Sequence, residues 1–135
     1  MKKKYYITTP IYYPSAKPHM GHAYSSISAD FIARYKRLEG YDVMFVTGTD
    51  EHGQKIQKSA DKRKLSPDIF CNEISKVFLD LTKTLNLSNT DFIRTTEIRH
   101  HKTVQKLWKI LEEKKFIYLS KYSGWYSVSD EAFYT

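Results

Sequence analysis

Two histidines flank a glycine at His19-Met20-Gly21-His22, behind a predicted strand and at the mouth of a predicted helix. The first amides of a helix lack intrahelical acceptors, so such a place favours anions. Two imidazoles three residues apart around a helix start can face one way and donate to phosphate oxygens. This is the chemistry needed to grip a nucleotide triphosphate and to stabilise the charge that develops when its α-phosphorus is attacked. Gly21 would let a nucleotide lie flat on the backbone where a side chain would collide. The competing reading is two surface histidines beside a loop glycine.

A second constellation is Asp50-Glu51-His52, after another predicted strand. A carboxylate there could bind an ammonium group. Alternatively, the acids favour the start of the following helix by charge, or a carboxylate and imidazole cluster holds a metal. Adjacent residues diverge in direction, which speaks against the metal. Ile11, Tyr12 and Tyr13 leave the first strand beside this place and could wall an apolar pocket for a small side chain. Aromatic packing at the sheet edge explains Tyr12 equally well.

The elements that must position these residues follow from periodicity and punctuation. Residues 4–9 are rich in aromatic and β-branched types and stop at Pro10, which predicts a strand and then a loop. Ala23, Ile27, Phe31, Tyr35 and Leu38 recur at helical spacing over 20–39, and Gly40 stops the run. Val43-Met44-Phe45-Val46 is a continuous apolar run, suited to a strand buried on both faces of a parallel sheet. Strand, helix and strand form a βαβ unit. In an open α/β sheet, ligands bind at the C-terminal ends of the strands, where both constellations fall. A lysine-rich helix over 54–63 follows. Another opens with Ser66 as N-cap and Pro67 at its first position, and runs to about residue 86. Phe92-Ile93-Arg94 predicts a third strand, and 96–115 a further helix. From Phe116 onward aromatic residues interleave with serines, which predicts strands of a different module.

The chain has 135 residues, a formal net charge of +7 and a pI near 9.4, which favours polyanionic partners such as nucleic acid or phosphorylated small molecules. A lysine excess that aids solubility accounts for the charge equally well. Cys71 is the single cysteine, so an internal disulfide and a multi-cysteine zinc site are excluded and a reducing compartment, the cytoplasm, is expected. No apolar run is long enough to span a membrane, and the first lysines precede no signal-peptide core. The Arg99-His100-His101-Lys102 cluster and the lysines of 55–64 could touch nucleic acid, and solvated helix faces explain them as well.

Several runs together resemble the N-terminal part of the methionyl-tRNA synthetase family, within the class I aminoacyl-tRNA synthetases. They are Thr8-Thr9-Pro10-Ile11-Tyr12-Tyr13, Pro18-His19-Met20-Gly21-His22-Ala23-Tyr24, Ala29-Asp30-Phe31, Thr47-Gly48-Thr49-Asp50-Glu51-His52-Gly53 and Asp91-Phe92-Ile93-Arg94-Thr95-Thr96. The resemblance implies an α/β fold, a Rossmann-type parallel sheet over residues 1–115, with an inserted connective domain beginning at 116–135. It implies ATP-dependent activation of methionine to methionyl-adenylate, then transfer to tRNA(Met). His19 and His22 would be catalytic and, with Gly21, would bind ATP. Asp50 would hold the methionine ammonium, with the Ile11 backbone and Tyr13 beside the substrate. ATP would come as its magnesium complex, and no membrane partner is implied.

Two departures qualify this. Met20 stands where the family usually has isoleucine or leucine. Ser127 and Asp130 stand where zinc-bearing members carry a Cys-x-x-Cys pair, and these cannot replace two thiolates on tetrahedral zinc, so no zinc is expected. The Lys-Met-Ser-Lys-Ser signature of the class is not in the chain, nor are the second half of the sheet and the anticodon-binding helical domain. The 135 residues are therefore expected to be a fragment, inactive or nearly so alone, with an unpaired sheet edge. The alternative is a non-catalytic nucleic-acid or partner-binding module built on a synthetase half-domain.

Overall fold

In the computed structural model, which describes residues 2–134, the aromatic run after the first lysines forms strand β1 (Lys4–Thr8). Pro10 has no N–H for a ladder and marks its end. Helix α1 (Met20–Leu38) carries the chain back, and Gly40, at φ 85°, turns it into strand β2 (Asp42–Thr49). Helices α2 (Gln54–Lys62) and α3 (Pro67–Thr84) lead to strand β3 (Asp91–Arg94). The sheet order is β1-β2-β3, all parallel, in register from Lys4↔Asp42 to Thr8↔Val46 and from Val46↔Asp91 to Thr49↔Arg94. Parallel pairing puts the ends of all three strands on one rim, the side on which open α/β sheets bind ligands.

These elements make up one compact unit, Met1–Thr95. Its core has two clusters. Ala29 and Ala33 of α1 pack on Val43 and Phe45 of β2, with Tyr5, Ile7 and Tyr41 around them. Ile56 and Ala60 of α2 pack with Phe70, Cys71, Ile74 and Phe78 of α3 and with Tyr12, Leu65 and Phe92. Burial of each large apolar side chain contributes roughly 1.5–3 kcal/mol.

Two local expectations are corrected. The periodic stripe that marks α1 does not supply its buried face: Phe31 and Leu38 are 71% and 87% exposed, whereas Ser26, Ala29, Asp30 and Ala33 are buried. Two alanines let the helix backbone approach the sheet, which larger residues would hold off. Asp30 is tolerated there because it accepts from Arg34 Nε at 2.6 Å and from the Ser88 N–H at 2.6 Å. Burial alone would raise its carboxyl pKa, but the bonds from Ser88 and Arg34 outweigh burial and hold it below the ordinary range. Next, β2 is not covered on both faces along its length. Met44 is half exposed beside its register partner Tyr6, and among the described residues β1 is an edge strand. As expected, Ser66 is the N-cap of α3 and Pro67 its first residue, although Ser66 makes no side-chain cap bond.

The second compact unit is Thr96–Thr135. It holds helix α4 (Ile98–Glu113) and an antiparallel pair, β4 (Trp125–Ser127) and β5 (Ala132–Tyr134). Phe133 packs against Tyr122 and Tyr126, with ring centroids 5.0 and 4.9 Å apart. The division between units falls after Thr95, ahead of the composition change at Phe116.

At Gly48 the backbone of β2 leaves no room for a side chain against β3. A Cβ there would stand 1.9 Å from the Ile93 carbonyl oxygen. Gly48→Ala is expected to cost about 3 kcal/mol, the upper end of the usual overpacking penalty. Urea denaturation measures this, and a loss under about 1 kcal/mol would contradict the close approach.

Candidate functional site

The His19-Met20-Gly21-His22 run folds into a capping box made of two imidazoles. His19 is the N-cap of α1, and its Nδ1 accepts from the Gly21 N–H at 3.1 Å. In return, His22 Nδ1 accepts from the His19 N–H at 3.0 Å. This box is ordinarily built from Ser or Thr with Glu or Gln. An imidazole nitrogen that accepts carries no proton, so each neutral ring keeps its N–H on Nε2. The two rings lie 3.9 Å apart, centroid to centroid, and each has one donor to offer a ligand. Gly21 is required locally: a Cβ there would stand 2.9 Å from His19 Cε1 and displace that ring. Met20 is 83% exposed, so the change at that position disturbs no packing within the described residues.

His22 is further held by aromatic rings. Tyr12 and Phe78 meet it edge-on at 4.8 and 5.1 Å and stack on each other at 5.7 Å. The Tyr12 hydroxyl shares a hydrogen bond with Ser26 Oγ at 3.0 Å and donates to the His22 carbonyl at 3.3 Å. Burial first, and then the neighbouring His19, hold the His22 pKa below its ordinary value. Phe78 and Ser26 did not stand out in the sequence, because one looked like ordinary core spacing and the other like a polar helix position.

Ile11, Tyr13, His19 and His22 line one cavity of about 300 Å³, together with Tyr12, Ser15, Ala16 and Lys17. That is the lower end of the range for small-molecule sites, roughly 300–1,000 Å³. Lys17 is the cation of this wall and was missed as one lysine among many. Gly21 and Asp50 are not among the lining residues.

Asp50 is tied to the cavity wall through the backbone. The Tyr12 N–H donates to the Gly48 carbonyl at 3.0 Å, and the Asp50 N–H donates to the Tyr12 carbonyl at 2.9 Å, so the segment after Pro10 rejoins the sheet. Asp50 and Glu51 then part company just beyond β2. Asp50 is partly exposed, with Thr95 Oγ1 3.4 Å from its Oδ1. Glu51 turns inward, and its fully buried carboxylate pairs with Arg94 Nε at 2.6 Å and Nη2 at 2.9 Å. His52 Nε2 lies 3.4 Å from the Thr95 carbonyl.

The two carboxylates also stand apart from the helix that follows. The N-cap of α2 is Gly53 and its first turn holds no acid, so the two carboxylates precede that helix rather than stabilise its first turn. Among the described residues no group of three His, Cys, Asp or Glu side chains could hold a metal ion. Cys71, the nearby thiol, is pushed up to about 11 by burial and then by Glu51, which leaves it inert as a nucleophile. The basic clusters fall on α2 and α4.

A family model described as tRNA synthetases class I (M) matches residues 5–135. The chain is 57% identical over 134 residues to a methionine–tRNA ligase of Listeria monocytogenes, covering 99% of this chain and 20% of that protein. It is 55% identical to that of Rickettsia prowazekii, covering 99% of this chain and 26% of that protein. Among solved structures, Mycobacterium tuberculosis methionyl-tRNA synthetase in complex with methionyl-adenylate superposes with a TM-score of 0.93 at 48% identity, over 98% of this chain and 26% of that one. The chain thus spans only 20% to 26% of the length of these relatives. No helix of the described residues is long and apolar enough to cross a membrane.

The capping box makes a pH prediction. Unfolded His22 takes up a proton at a higher pH than folded His22, so stability rises with pH through this window. The contribution is complete above the ordinary value of 6.5 and is lost as pH falls through the lower folded value. An NMR titration of the ring is expected to give a His22 midpoint below 6.5, and a midpoint at or above it would contradict the account.

Proposed function

Because the chain belongs to the class I tRNA synthetases (M), we propose that it provides the methionine- and ATP-binding rim of a methionine–tRNA ligase. The activity is activation of methionine with ATP to methionyl-adenylate and pyrophosphate, followed by transfer to tRNA(Met). The observation that carries this reading is the reciprocal box of His19 and His22, which fixes two neutral N–H donors at a helix N-terminus beside a cavity.

Residue by residue, the methionine ammonium is held by the Asp50 carboxylate, which has no ion pair among the described residues. The Ile11 backbone and Tyr13 flank the amino acid in the cavity. The methionine carboxylate attacks the α-phosphorus of ATP, which enters as its magnesium complex, and the bond to pyrophosphate breaks. Nε2–H of His19 and of His22 donate to the phosphate oxygens as charge accumulates there. Neutral donors serve because they need no counter-ion and do not lose a proton near neutral pH. Gly21 keeps the backbone beneath the adenosine free of a side chain.

The connective insertion begins near Phe116 in this reading, and the preceding residues form the first half of the catalytic domain. Ser127 donates to Asp130 at 2.7 Å and Tyr134 donates to the same carboxylate at 2.9 Å. This oxygen-only group fits a member without zinc. A cytoplasmic location accords with the single free, buried thiol.

The test is methionine-dependent ATP–pyrophosphate exchange by the complete gene product that carries these residues. His22→Ala is expected to lower kcat by about 10²–10³, as for loss of one transition-state donor. Asp50→Ala is expected to raise KM for methionine by about 30-fold or more. Exchange that survives both substitutions would overturn the assignment. Nucleic-acid binding with no exchange would instead support the non-catalytic module.

A further inference from the structure

We infer that the buried Glu51–Arg94 ion pair is a positioning device for Asp50, setting affinity for the amino end of the substrate without touching it; this rests on the reading of Asp50 as the ammonium-binding carboxylate. The Glu51 side chain is wholly inaccessible. Its carboxylate accepts both arms of the Arg94 fork, the Thr49 hydroxyl at 2.8 Å and the Ser75 hydroxyl. Arg94 also donates to Asn72 Oδ1 at 2.7 Å. One carboxylate thus ties together the end of β2, the end of β3 and the middle of α3.

The consequence falls on the preceding residue. The Glu51 N–H donates to Thr95 Oγ1 at 2.8 Å, and that hydroxyl lies 3.4 Å from Asp50 Oδ1. The Asp50 N–H is held by the Tyr12 carbonyl. With residue 51 fixed inward by a bidentate fork and residue 50 held by its own amide, the backbone that carries Asp50 is fixed, and the Thr95 hydroxyl, itself placed by the Glu51 N–H, donates to the Asp50 carboxylate. The pair also neutralises Glu51. A ligand ammonium therefore meets Asp50 rather than two competing adjacent carboxylates.

Stability alone is a poor explanation for the pair, because well-packed apolar residues serve as well or better in such places. A fork that fixes direction is what an apolar pair could not supply.

The test uses exchange kinetics of the complete gene product with Glu51→Gln and Arg94→Lys, alongside Asp50→Ala. Glu51→Gln keeps the shape and an acceptor oxygen but loses the charge. It is expected to raise KM for methionine about tenfold while KM for ATP stays within about twofold, the scale on which supporting residues act. Arg94→Lys, which keeps the charge without the fork, is expected to fall between it and the parent. A lowered thermal midpoint with an unchanged KM for methionine would overturn the inference, as would equal rises in both KM values. If Glu51→Gln does not fold, Ser75→Ala decides, with a rise of about threefold expected and no rise contradicting the inference. If Asp50→Ala leaves methionine KM unmoved, the ammonium reading itself falls. If it moves KM and Glu51→Gln does not, only the positioning role is lost.

Discussion

β2 is clamped on both sides at its C-terminal end, and the site follows from that clamp. On one side, Thr9 Oγ1 and Thr47 Oγ1 lie 2.6 Å apart and the Tyr12 N–H bonds the Gly48 carbonyl. On the other, the Thr95 N–H bonds the Thr49 carbonyl at 3.2 Å, and Gly48 leaves no room for a side chain against Ile93. Three chain segments far apart in sequence are locked into one rim. Every candidate residue is either in these segments or, like His19 and His22, at the start of the helix that joins two of them.

The charges at this rim are sorted by backbone geometry. Just beyond β2 the Glu51 carboxylate turns inward and meets Arg94, while Asp50 stays partly exposed. The imidazoles follow a different logic. Their Nδ1 atoms are spent on backbone amides, so they act as oriented neutral donors rather than as cations.

Much of the fold was readable from the sequence because its signals are local. The aromatic run before Pro10, the stop at Gly40, Pro67 at a helix start and the short third strand all correspond to elements of the structure. The face that α1 buries was not readable. Its large apolar residues signal a helix by their spacing, yet alanines and a clasped Asp30 fit the sheet better. Met44 similarly read as a core residue and lies half exposed. At the site, the motif spacing was enough to choose His19, Gly21, His22 and Asp50. The supports were not, because Phe78 and Arg94 reach the site from 56 and 43 positions along the chain. Only alternation of side-chain direction could have separated Glu51 from Asp50, and only with the strand end known.

The most direct measurement is a crystal structure of the complete gene product with a non-hydrolysable methionyl-adenylate analogue. The account predicts the amine of the analogue within about 3 Å of the Asp50 carboxylate and the phosphate position within similar reach of both histidine Nε2 atoms. It also predicts that the Glu51–Arg94 pair is unchanged on binding. An amine held by another group, with Asp50 turned away from it, would contradict the account.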